Sequence, residues 1–231
     1  MRHKYLLLFP LFLSLPQPAQ AQQDSLVGEA LPSKVNVAAP RFASRSAREK
    51  VDPAYWYRNA VKLDNGDGVA QDLPGALAAY RKAAELGHPE AMAVLGQMYH
   101  SGRGVERDEA QAADWYRQAA GAGSVIAAYN LAVILAASGT APHDLAQARR
   151  FYEQAAAGGF AKAQYNLAQL LADPALGQLD VEQAYKWMLL ARDNGIGRAD
   201  GQLAALAAHM TPDQVARGGE LARQWRPARV Q

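Results

Sequence analysis

A 36-residue rhythm constrains this chain more than anything in its composition. Ala91 and Leu95 return as Ala127 and Leu131, as Ala163 and Leu167, and as Ala199 and Leu203, always 36 residues apart. Asp108 keeps the same register with Asp72, Asp144 and Asp180. Trp115 is matched by Phe151 and Trp187, Tyr116 by Tyr80 and Tyr152, and Gly123 by Gly87, Gly159 and Gly195. A period of roughly 20–50 residues signals a stacked array, in which one unit cannot bury its apolar face alone and the stack supplies the core. The spacing therefore predicts an all-α chain, an α-solenoid of helix–turn–helix units.

Each unit explains itself locally. In the first helix of the second unit, Ala91, Leu95, Met98 and Tyr99 fall at i, i+4, i+7 and i+8, one apolar stripe at helical period. The small residue at Gly96, Ala132, Ala168 and Ala204 predicts close approach of a neighbouring helix. Gly102-Arg103-Gly104-Val105 then breaks the helix, since glycine adopts the positive φ of a tight reversal without a Cβ penalty. Asp108 reads as the N-cap of the second helix, its carboxylate accepting from free backbone N–H groups at the positive end of the dipole. Gln111, Gln147 and Gln183 stand three residues after their aspartates, the spacing of a capping box. The second helix should bury Ala112, Trp115, Tyr116 and Ala119 and end at Gly123.

These residues resemble the Sel-like repeat family, relatives of the tetratricopeptide repeats. The pattern is A-x-x-x-L-G-x-x-Y, then G-x-G-V, then D, then A-x-x-W-Y-x-x-A-A-x-x-G, and residues 91–123 carry all of it. The first unit keeps Gly66, Gly68, Val69, Asp72, Ala76, Tyr80, Ala83, Ala84 and Gly87 but begins with Tyr55 and Asn59. The third has Ser138 and Thr140 in place of the loop glycines, and the fourth has Asp173-Pro174-Ala175-Leu176-Gly177 instead of the loop. The resemblance covers about residues 54–210. It implies a right-handed solenoid used for protein–protein contact, with the first helices lining the concave side.

The flanks suggest export and capping. Arg2 and Lys4, the apolar run from Leu6 to Leu15 and Ala19-Gln20-Ala21 have the order of a signal peptide, residues 1–21. The run is shorter than the roughly 20 residues of a membrane span, and no integral span is expected after cleavage. Without cysteine, neither disulfides nor lipidation of a cysteine can occur. The expected location is the periplasm. Leaving out Arg2 and Lys4, 22 basic residues balance 22 acidic ones, so the slight basic excess belongs to the export segment. No field remains to attract nucleic acid. Residues 22–52 read as a flexible tether with a mild basic run at Arg41, Arg45, Arg48 and Lys50. Residues 53–210 hold four helix pairs plus a half unit. Thr211-Pro212-Asp213-Gln214 opens a C-terminal capping helix, 211–226, and 227–231 form a disordered tail.

Catalytic sets are missing. The five histidines do not cluster, and there is no H-E-x-x-H, G-x-S-x-G or cysteine nucleophile. Asp64-Asn65-Gly66-Asp67-Gly68 has a faint likeness to a calcium loop, but Gly75 stands where the twelfth-position glutamate belongs. No cofactor or metal site is expected, and the chain reads as a non-enzyme. A hydrolase of envelope polymers would need a carboxylate or histidine pair in the groove, where only Asp64 and His100 are on offer.

A surface remains. Opposite the apolar stripe, each helical step turning about 100°, lie the positions two, six and nine residues after the leading alanine. They are Tyr57, Val61 and Asp64; Ala93, Gln97 and His100; Tyr129, Val133 and Ala136; and Tyr165, Gln169 and Ala172. Asn130 and Asn166 flank two of the tyrosines. Tyr57, Gln97, His100, Tyr129, Asn130, Val133, Tyr165, Asn166 and Gln169 are the candidate binding residues, with ring faces to pack a peptide and amides to bond its backbone. The alternative is that the tyrosines pack against the next unit. The expectation is a scaffold or adaptor of the cell envelope holding a protein or extended peptide. The competing possibility is a regulator of a cell-wall enzyme or secretion complex that works through its tether or convex face.

Overall fold

Proline and aspartate decide where the helices begin. In the computed structural model, which describes residues 51–138, 142–173 and 179–227, the first unit contributes α1 (Pro53–Asn65) and α2 (Leu73–Glu85). The second contributes α3 (Pro89–Ser101) and α4 (Glu109–Gly121), the third α5 (Val125–Ser138) and α6 (Pro142–Ala157). The fourth contributes α7 (Ala161–Leu171) and α8 (Val181–Asp193), and α9 (Ala199–Ala207) and α10 (Pro212–Gln224) follow. All lie in one compact unit, Ala39–Gln231. The expected signal peptide, nearly all of the tether, most of the short tail, and the loops that interrupt the third and fourth units fall outside the described residues. Among the described residues there is no strand, and no helix is long and apolar enough to cross a membrane.

From α1 to α9 each helix packs on the one before and the one after, and α10 returns to α8, so the chain is a solenoid of helix pairs at 36-residue spacing. In the first two units the turn between the paired helices is built on two left-handed glycines, Gly66 and Gly68 or Gly102 and Gly104. Gly66 and Gly102 stand at φ 77° and 73°, and their N–H groups donate to Lys62 and Met98 carbonyls. The turns between units repeat with equal regularity: the residue after each glycine, His88, Ser124, Phe160 or Ile196, donates its N–H to a carbonyl five residues back.

Three of the four register aspartates cap as expected. The N–H groups of Gly75, Gln111 and Gln183 donate to Asp72, Asp108 and Asp180 at 2.9, 3.0 and 3.1 Å. For Asp108 this bond holds its carboxyl below the usual range. Asp144 is different: α6 begins two residues earlier, at Pro142, so this aspartate lies inside the first turn. The capping boxes expected at Gln111 and Gln183 do not close, for a physical reason. The N–H that a reciprocal glutamine would need is already spent on the preceding helix. Asp72, Asp108 and Asp180 donate theirs to the carbonyls of Leu63, Tyr99 and Leu171 at 2.9, 3.0 and 3.1 Å. Gln111 turns its amide to the Asp108 carboxylate instead. At α10, where no helix claims the N–H of Thr211, Gln214 takes it, and there the box is complete.

The core follows the periodic stripe. Leu95, Leu131 and Leu167 are fully buried, each worth about 1.5–3 kcal/mol on burial. In α4, Ala112, Tyr116 and Ala119 are buried as expected, whereas Trp115 is only half-buried. Two buried clusters meet inside the second hairpin, bridged by the half-buried Met92, Val105 and Trp115. The small position is tightest at Gly96, where a Cβ would stand 2.6 Å from the Tyr116 ring. Ala204, in α9, is exposed instead. The last helix, α10, packs on α8: Gly218 lies against Tyr185 and the Glu182 carbonyl, and Trp225 meets Trp187 edge-on at 6.0 Å.

Candidate functional site

The face opposite the buried stripe is built by α1, α3, α5 and α7, and its side chains differ in how freely they meet solvent. The tyrosines are taken up by the stack. Tyr57 lies flat on His88, centroids 4.3 Å apart, in the turn that leads to the next unit. Tyr129 packs on Phe160, at the corresponding turn, at 4.9 Å. Tyr165 is 5 % exposed, with the Arg198 guanidinium 4.2 Å over its ring and Gln169 donating to its hydroxyl at 3.4 Å. These rings therefore mortar one unit to the next, and no ladder of open tyrosine faces runs along the surface.

The asparagines are similarly occupied. Asn166 donates to the Tyr152 hydroxyl at 3.3 Å, and Asn130 bonds the Tyr116 hydroxyl in the same way. Both hydroxyls belong to the second helix of the preceding unit. Burial pushes the phenol of Tyr116 up to about 12, against the lowering effect of Asn130, and raises that of Tyr152. Val133 is half-buried, whereas Gln97, His100 and Gln169 are exposed.

Asp64 has no chemistry to offer the groove. It is 6 % exposed and held bidentate by Arg103, at 2.6 and 2.8 Å, with the Tyr80 hydroxyl donating at 3.2 Å. Arg103 comes from the α3–α4 turn, so this pair latches the first unit to the second. Desolvation, followed by the Asp64 charge, raises the Tyr80 phenol far above its ordinary value. The calcium-loop likeness ends here: the first would-be ligand faces a guanidinium, and Asn65 donates to Asp67. Sequence reasoning missed Arg103 because it sits 39 residues from Asp64 in what reads as a turn. It also missed Gln164, fully buried in α7, which accepts from Asn194 at 2.9 Å and donates to the Ala156 carbonyl at 3.4 Å. Among the described residues no group of three or more His, Cys, Asp or Glu is placed to hold a metal.

An opening lies on this face. A cleft of about 550 Å³ lies between α3 and α5, lined by residues that include Ala93, Val94, Gln97, Val125, Ile126 and Asn130.

Helix hairpins stacked on a 36-residue period and latched by buried tyrosines define an α-solenoid of helical repeats. The chain belongs to the Sel1 repeat family, whose repeat matches residues 60–88, 89–124, 125–160 and 161–196. Proteins of this class are non-catalytic and act by holding other proteins. No curated protein matches the chain. Among solved structures, it is similar to a Sel1 repeat protein from Oxalobacter formigenes, at 23 % identity and TM-score 0.65, over 79 % of this chain and 76 % of that one. It is also similar to a protective antigen of uropathogenic Escherichia coli displaying an SLR fold, at 24 % identity and TM-score 0.61, over 78 % of this chain. It spans 46 % of that antigen's length. At such identities the likeness is one of fold.

Proposed function

We propose that this chain is an exported scaffold of the cell envelope that holds a segment of a partner protein against the face built by its first helices, α1, α3, α5 and α7. The observation that carries this is the cleft between α3 and α5, on a face whose tyrosines are engaged by the stack. Gln97 and His100 stand exposed on α3, and Gln169 on α7, with Val133 and the rim of Asn130 between them. The tyrosines Tyr57, Tyr129 and Tyr165, with Asn166, shape this face from behind. The basic, apolar and small-residue order of residues 1–21 supports export, with the periplasm as the proposed compartment.

Photocrosslinking in intact cells tests the face. A benzophenone side chain placed at Gln97, His100 or Gln169 should capture a partner, and one at Arg117, exposed on α4, should not. Adducts from Arg117 alone would overturn the assignment. Loss of every adduct on deleting residues 22–50 would move the contact to the tether. Fractionation gives the compartment: the protein should be released by osmotic shock with an N-terminus near Gln22, and recovery in the cytosol with Met1 intact would refute export.

A further inference from the structure

Two of the rings that mortar successive units share one register, and the third lies close to it. The residue two places after the start of the first-helix stripe meets the turn leading into the next unit, 31 residues on. Tyr57 meets His88 and Tyr129 meets Phe160 in this way, while the Tyr165 ring is covered by Arg198, two residues past the corresponding Ile196. In the second unit the register holds Ala93 and Ser124. Neither carries a ring, and the cleft opens at this point. An aromatic side chain is missing from the stack where every other unit supplies one.

We propose that this cleft takes an aromatic side chain from an extended partner peptide, with a basic residue beside it. This rests on the function proposed above and names the chemistry of its partner. Ala93 and Ser124 line it together with the apolar Val94, Val125 and Ile126. Ile126 is 58 % exposed, one of the large apolar side chains at the surface. A phenyl or phenol ring seated there buries its faces as Tyr57 and Tyr129 bury theirs one unit away. Gln97 and Asn130 stand at the rim, where amides meet a peptide backbone. Charge selects the neighbour. Glu90 is the single ionisable residue lining the cleft, it is exposed, and no cation lines the cleft to oppose it. The Glu90 carboxylate lies 3.0 Å from His88 Nδ1 and keeps a second oxygen for an incoming lysine or arginine.

The test titrates the isotope-labelled full chain with acetyl-Ala-Phe-Lys-Ala-amide, following amide shifts. Saturable shifts should centre on Val94, Gln97, Ile126 and Asn130. Replacing the peptide's Phe by Ala should weaken binding about tenfold or more, as for a buried aromatic anchor. Replacing its Lys by Glu should weaken it several-fold, with the difference shrinking as salt is raised. Ala93→Tyr gives the second unit its own ring and should abolish binding while leaving the melt unchanged or raised. Should that variant fold poorly, Ile126→Ser, at an exposed position, should bring a similar loss of affinity. Equal binding of the Phe and Ala peptides, shifts centred elsewhere, or undiminished binding by Ala93→Tyr would each overturn the proposal. If acetyl-phenylalanine-amide bound as tightly as the peptide, the site would serve small aromatics and the peptide partner would be wrong. Crosslinks at Gln97 without peptide binding would refute this occupant alone. Peptide binding without crosslinks would leave the cleft standing and remove the wider function.

Discussion

Gly96→Ala sets two known effects against each other, and the structure says which wins. In mid-helix, exchanging glycine for alanine ordinarily stabilises by about 1 kcal/mol through backbone entropy. Here the added Cβ would lie 2.6, 2.7 and 2.9 Å from Cδ1, Cε1 and Cγ of Tyr116. Comfortable carbon contacts lie at about 3.5–4.0 Å, so the ring or the helix must retreat by close to 1 Å. The crowded atoms run along one edge of the ring from its root, and Tyr116 is buried at 2 % exposure. A close-packed interior passes such a shift on to its neighbours. Overpacking of this kind costs about 1–3 kcal/mol, and with no free side for the ring the upper half of that range applies. After the propensity gain, the net loss is about 1–2 kcal/mol. For a folded unit of this size that lowers Tm by roughly 2–8 °C. Thermal and urea melts of the variant measure it, and a Tyr116→Leu background tests the cause. With the ring gone, alanine at position 96 should become neutral or stabilising, a coupling that a double-mutant cycle isolates. A Gly96→Ala protein that melts above wild type would show that Tyr116 has room and the reasoning is wrong. The other units carry Ala60, Ala132 and Ala168 at this position, so the crowding belongs to the second hairpin.

Two further outcomes follow from burial. Leu131→Ala or Leu167→Ala removes a fully buried side chain from the stack and should cost about 2–5 kcal/mol by urea denaturation; a melt like wild type would mean that the stripe is not the core. The phenols of Tyr57, Tyr80, Tyr116 and Tyr152 are all raised, first by desolvation, so the folded state holds these protons more tightly than the unfolded one. Their contribution is whole below the unfolded value near 10 and is lost as pH rises towards the folded values, Tyr116 at about 12. Stability should therefore be level up to about pH 9 and fall above pH 10, with tyrosinate absorbance rising together with loss of helix. Full tyrosine ionisation with the helix signal intact would refute the burial of these rings.

The helix pairs were legible in the sequence because their signals are local and repeated. Leu131 and Leu167 declare the buried stripe, and Asp72, Asp108 and Asp180 declare the caps, within one or two turns of chain. What escaped depends on partners far along the chain. The capping boxes fail because the aspartate N–H is taken by a carbonyl nine residues earlier, a bond that no pattern of side chains announces. Asp64 looked like an acid at the groove because Arg103, 39 residues on, has no periodic counterpart. The tyrosines of the candidate face occupy the positions expected, but their rings are claimed by a turn 31 residues later. That same register makes the bare Ala93 and Ser124 legible once a single ring contact is known.

The Asp64–Arg103 latch also bears on how such an array can change over generations. Repeats of equal length invite unequal recombination, which adds or drops a whole unit without breaking the helical frame. Loss of residues 89–124 would bring Gly139 to the place of Arg103 and leave a buried carboxylate with only a tyrosine hydroxyl for company. Removing one partner of a buried pair is heavily destabilising. The first two units are thereby inherited as an inseparable block, while duplications beyond Gly123 meet no such barrier at this latch.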